Sequence, residues 1–141
     1  MKIIIQDNRR FILRFDENEP VLQGLADFLA AQKIEACAFN GLGTVVSVEL
    51  GFYNSHLKEF RKKPFIEDFE VVSLTGNGAL LAADGKPIVH AHGVFSRIDF
   101  SLIGGHIFEL LAGATCEIFI TKIEGGMKRD MNSDFNLNLL V

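Results

Sequence analysis

Tryptophan is missing from this chain, and tyrosine occurs once, as Tyr53, beside 13 phenylalanines. Phenylalanine brings apolar area without a polar handle, so these rings read as core filling rather than as platforms for stacked bases. Proline is scarce, three in 141 residues, which together with 48% hydrophobic content excludes a proline-rich linker or a disordered tail. The two cysteines, Cys37 and Cys116, lie in apolar runs without a CxxC partner. They are expected to be buried thiols in a reducing cytoplasm. Positive charge is in short supply as well: 14 Lys and Arg face 18 Asp and Glu, a net charge of −4. That weakens any whole-surface attraction to a nucleic-acid duplex. Charge-free stretches stop at 13 residues, Ala36 to Val48 and Val71 to Ala83, too short for a membrane-crossing helix. The opening run meets Asp7 too early for a secretion signal. No membrane partner is expected.

What is present fits one domain spanning residues 1–141. Its apolar content exceeds what a small domain buries within itself, which points to a subunit contact. Met1 to Phe15 reads as strand, turn and strand. Val21, Leu22, Leu25, Phe28 and Leu29 form one apolar helical face, with Asn18 as expected cap and Lys33 near the end. The remainder reads as strands. Asn40-Gly41-Leu42-Gly43 is expected to turn, and Thr75 to Gly78 to interrupt or kink a strand. Asp84-Gly85 marks a hairpin, and Ala112-Gly113-Ala114 is expected to join two strands, Ser101–Leu110 and Thr115–Ile123. The class is α/β of the α+β kind: a mixed, largely antiparallel sheet packed against one main helix. The basic cluster Lys58, Arg61, Lys62 and Lys63 reads as a solvated turn or rim.

His90 and His92 form His-Ala-His within an expected strand. Period two puts both imidazoles on one face, about 6.5–7 Å apart along the chain. His106 follows 14 residues after His92, behind Gly104 and Gly105, on an expected neighbouring strand. Glycines there would let backbones approach closely. Three neutral imidazoles with an open fourth position match a catalytic zinc ligand set, and nickel, iron or copper would also fit. The same histidines could instead bond to neighbours, or bind an organic anion without a metal. His56, in the basic loop, reads as a surface residue. Among carboxylates near such a site, Glu70 ranks first, as the acceptor of a ligand histidine's N–H or as a proton carrier. An ion pair with an N-terminal arginine is its other reading. Asp99, Glu109 and Glu117 are further candidates. No GxGxxG, HExxH or GxSxG motif occurs.

Taken in order, these pieces make a set. It comprises the helix after Phe15–Pro20, Ala38-Phe39-Asn40-Gly41-Leu42-Gly43-Thr44-Val45, and Glu70-Val71-Val72-Ser73-Leu74-Thr75-Gly76-Asn77. Asp84-Gly85-Lys86-Pro87, His90-Ala91-His92, Gly104-Gly105-His106 and Thr115-Cys116-Glu117-Ile118-Phe119-Ile120 complete it. The chain resembles the plant-and-prokaryote-conserved (PPC) domain family over about residues 10–123, with 124–141 as an extension. The resemblance implies a compact α/β domain that assembles as a homotrimer. It also implies a metal held by His90, His92 and His106. In plants the domain follows an Arg-Gly-Arg-Pro AT-hook, and this sequence has no such segment. DNA is therefore possible but not favoured as a partner. Two functional classes follow: a homotrimeric module that binds a small molecule, or a metal-dependent enzyme acting on a small polar one.

Overall fold

The computed structural model describes residues 1–141. Two short strands open the chain, β1 (Lys2–Gln6) and β2 (Arg10–Phe15), followed by the single helix α1 (Val21–Ala31). Then come β3 (Cys37–Asn54), β4 (Glu59–Phe65), β5 (Phe69–Leu81), β6 (Pro87–Ser96), β7 (Leu102–Lys122), β8 (Lys128–Asn132) and β9 (Leu137–Leu140). All neighbours pair antiparallel except β5 with β8. This is the expected mixed sheet against one main helix, with an added feature. β3 pairs with β5, β5 with β6, β6 with β7, and β7 with β3 again, so the four long strands form a closed circuit.

Helix α1 buries Val21, Leu25, Phe28 and Leu29, the expected apolar face, and packs on β6 and β7. Burying each such side chain stabilises the fold by about 1.5–3 kcal/mol. Its ends differ from expectation. Pro20 occupies the N-cap position with no side-chain cap, and Asn18 instead adopts a left-handed backbone, φ 63°. At the other end Lys33, φ 53°, terminates the helix: its N–H donates to the Ala30 carbonyl and that of Ile34 to the Leu29 carbonyl. This paired closure satisfies carbonyls that the helix leaves open and seats Ile34 in the core. Lys33 thus acts through its backbone.

The glycine-rich segments are the main departure. Asn40 to Gly43 lies inside β3, and Ala112 to Ala114 inside the unbroken 21-residue β7, so Ser101–Leu110 and Thr115–Ile123 are one strand. Thr75 to Gly78 runs within β5. These glycines allow strands to cross rather than turn. At Gly43, φ is +130° and an added Cβ would stand 2.2 Å from the Thr115 carbonyl oxygen. Register shifts around Gly43 bend β3 relative to both partners. Phe15, Phe95, Leu74, Leu110, Ile118 and Val45 fill the interior. Cys37 and Cys116 are free and buried as expected, and burial pushes both thiols up, Cys116 to about 12.

Candidate metal centre

The β6/β7 register sets His92 directly across from His106. His90, two positions earlier on β6, lies across from Asn77 of β5. The two glycines before His106 serve the close approach expected of them. A Cβ on Gly104 would stand 2.7 Å from the Gly93 carbonyl oxygen, and one on Gly105 2.9 Å from that of Gly51. The three rings therefore converge, with centroids 5.1 Å (His90–His92), 5.0 Å (His90–His106) and 5.3 Å (His92–His106) apart. One nitrogen from each lies within 4.8 Å of the others. Tetrahedral zinc with bonds of 2.0–2.1 Å requires nitrogens about 3.3 Å apart. Side-chain rotation would have to close that gap. The donor set fits a divalent metal ion.

The surroundings favour the neutral form of His106 and His90, which is the form that ligates. Burial pushes His106 down to about 4, with His90, His92, Lys62 and Arg129 adding positive charge nearby. Burial, then Arg129 and His92, lowers His90 also. Phe60 and Phe108 flank His106 at 4.9 and 4.7 Å, and the Lys62 ammonium sits 3.7 Å above the Phe108 ring. Lys62 also approaches Glu49 at 3.7 Å. The basic cluster spans the turn into β4 and β4 itself, with all four cations exposed.

The carboxylates fall elsewhere. Glu70 is exposed at the far end of β5, across from Ser96 and Thr44. It stands five positions from Thr75, the neighbour of His92, or about 16 Å along the strand. It makes no ion pair with Arg9, Arg10 or Arg14; Arg10 pairs with Asp7 and Arg14 with Asp16. Asp99 caps its own turn through Ser101, and Glu117 lies in the β2/β7 register across from Arg14. Glu109 alone lines the cavity beside the histidines. His56 is exposed in the turn after β3.

What occupies the expected carboxylate's place is a cation. Arg129 of β8 is only 7% exposed. Its Nη2 donates to Asn77 Oδ1 at 3.0 Å and lies 3.0 Å from His90 Nδ1. Nη1 donates to the Asn138 carbonyl at 2.9 Å, and Nε has no partner. A guanidinium offers only donors, so His90 Nδ1 is the acceptor and its proton sits on Nε2. Arg129 escaped the sequence reading because a parallel β5/β8 pairing delivers it, and no local pattern marks such a pairing. His90, His106, Arg129, Phe60, Phe108 and Leu22 line a cavity of about 730 Å³.

No helix is long and apolar enough to cross a membrane. No curated protein matches the chain in sequence. Several solved structures do. A plant- and prokaryote-conserved protein from Pyrococcus horikoshii is 29% identical, TM-score 0.86, over 93% of this chain and 90% of its own. A metal-containing protein from Archaeoglobus fulgidus is also 29% identical, TM-score 0.88, over 100% and 99%. A candidate DNA-binding protein from Ralstonia eutropha is 28% identical, TM-score 0.88, over 97% and 94%. The family model described as the Plants and Prokaryotes Conserved (PCC) domain matches residues 5–124, a span holding the whole histidine cluster, and the chain belongs to that family.

Proposed function

We propose that His90, His92 and His106 hold one divalent transition-metal ion, zinc first, and that the protein works as a homotrimeric module binding a small molecule there. The convergence of three imidazole nitrogens within 4.8 Å is the observation behind this reading. The metal content of the Archaeoglobus relative supports it. Three imidazoles leave a coordination position open, and the adjoining cavity gives a ligand room. A bound ion would supply Lewis acidity and a more acidic water. Binding is favoured over turnover because the hydrogen-bond partner of His90 is Arg129 rather than a carboxylate, and Glu70, the expected proton carrier, is remote. Trimer assembly is supported by exposed apolar residues such as Phe52, Ile66, Ile98 and Phe100, and a cytoplasmic location by the two free thiols. Elemental analysis of protein purified without chelator or a nickel column is the test. One ion per chain is expected, and its loss in His92→Ala, an exposed position whose truncation spares the core. Substoichiometric metal in the wild type, or unchanged metal in the variant, would reject the site.

A second reading, DNA binding, is favoured by the Ralstonia relative. Against it stand the net charge of −4 and one basic strand per chain. A trimer would present three such strands, making avidity the physical route. Titrating an AT-rich duplex with the protein at 150 mM salt decides it. Tight binding that weakens steeply with added salt would establish this reading.

A further inference from the structure

We propose that Arg129 and the histidine-held ion together form a two-point site for a small carboxylate bearing an apolar tail. The inference rests on the metal reading and adds the ligand's chemical class. It begins from a buried charge without a counter-charge. No carboxylate contacts Arg129: its three partners are Asn77 Oδ1, the Asn138 carbonyl and His90 Nδ1, all neutral acceptors. Nε is enclosed and unpartnered. A buried cation left this way is costly, and an anion completes it.

The contact with His90 shows when that anion would be admitted. Nδ1 accepts from Arg129, so it cannot also donate its lone pair to a metal. If His90 ligates through Nδ1, that lone pair goes to the ion. If it ligates through Nε2, the ring proton moves to Nδ1 and faces the guanidinium donor to donor. Either way the His90–Arg129 hydrogen bond ends. One Nη2–H is then released beside the unmet Nε–H and the second Nη1–H, more than the two parallel donors a carboxylate accepts. The same event that positions a dication thus frees an arginine next to it.

The cavity specifies the remainder of the ligand. Eleven of its 19 lining residues are hydrophobic, among them Leu22, Ile88, Leu137 and Leu139, and its volume of about 730 Å³ suits a small organic molecule. Such walls favour an aliphatic tail over a bare inorganic anion.

Hexanoate and its neutral counterpart hexanamide are suitable probes, titrated calorimetrically into the full-length protein after zinc affinity has been measured by chelator competition. Zinc-loaded wild type is expected to bind hexanoate at least tenfold more tightly than hexanamide, and at least tenfold more tightly than zinc-free protein does. Arg129→Met should keep zinc at least as tightly as the wild type and lose the preference for hexanoate. Arg129→Lys, which keeps the charge without the fork, should recover part of it, and stands in if the Met variant does not fold. Zinc binding with equal affinity for the two probes, or with the preference intact in both variants, overturns this proposal alone. Failure to bind zinc overturns the metal reading together with it.

Discussion

His92 and His106 face each other across the β6/β7 ladder, so the distance between two prospective ligands is fixed by strand register rather than by loop conformation. His90 joins them through the two-residue strand period. A one-residue slip of β6 would send His90 and His92 to the opposite face of the sheet and dismantle the cluster.

The neutral state of His106 has a measurable consequence for stability. Its folded pKa, about 4, lies below the 6.5 of an ordinary imidazole. As pH falls below 6.5 the unfolded chain takes up this proton first, so stability present at pH 7 declines, and the decline is complete below pH 4. Urea unfolding of metal-free protein at pH 7.5, 6, 5 and 4 should show this loss, and His106→Phe should flatten it. His90, lowered in the same direction, leaves a residual slope. A stability curve flat from pH 7 to pH 5 would contradict this account.

Gly43→Ala is expected to cost more than about 3 kcal/mol or to prevent folding, since the new methyl would collide with backbone at a positive φ. Gly85, φ +71° in the β5/β6 turn, has nothing within 4 Å of an added Cβ. There the same change should cost only about 1 kcal/mol, the penalty of a left-handed backbone. Denaturant midpoints of the two variants, measured side by side, test the contrast.

Light scattering at micromolar concentration should report about three times the 15.6 kDa chain mass. A stable monomer would rule out the trimer and leave Ile98 and Phe100, 97% and 85% exposed, without a partner.

Much of the architecture was legible in local pattern. The 3.6-residue spacing gave α1, Asp84-Gly85 gave the β5/β6 turn, and the His-Ala-His and Gly-Gly-His motifs gave the converging histidines. Glycine misled because its two uses look alike in sequence: a residue that turns a chain and one that lets another chain pass closely carry the same letter. Asn40–Gly43 and Ala112–Ala114 belong to the second kind. Glu70 was an anomaly of composition, a charge opening an apolar strand. Only the fold shows that it is exposed, and the register that it lies at the far end of β5 from His92. Arg129 depended on a pairing between segments about 50 positions apart, which no window of local sequence contains.

The circuit of β3, β5, β6 and β7 also dictates an order of assembly. β5–β6 and β6–β7 are hairpins between consecutive segments, so His92 and His106 meet through a short loop. The β3/β7 ladder joins residues between 55 and 85 positions apart, and the ring closes only when that ladder forms. Closing loops of that length costs chain entropy before any contact offsets it, placing this domain among slow-folding, high-contact-order topologies. On a ribosome, the 18-residue β3 must wait for its β7 partner until residue 122 has emerged. The histidine pair can thus assemble early, while the four-strand circuit that encloses its neighbours waits for the β3/β7 ladder.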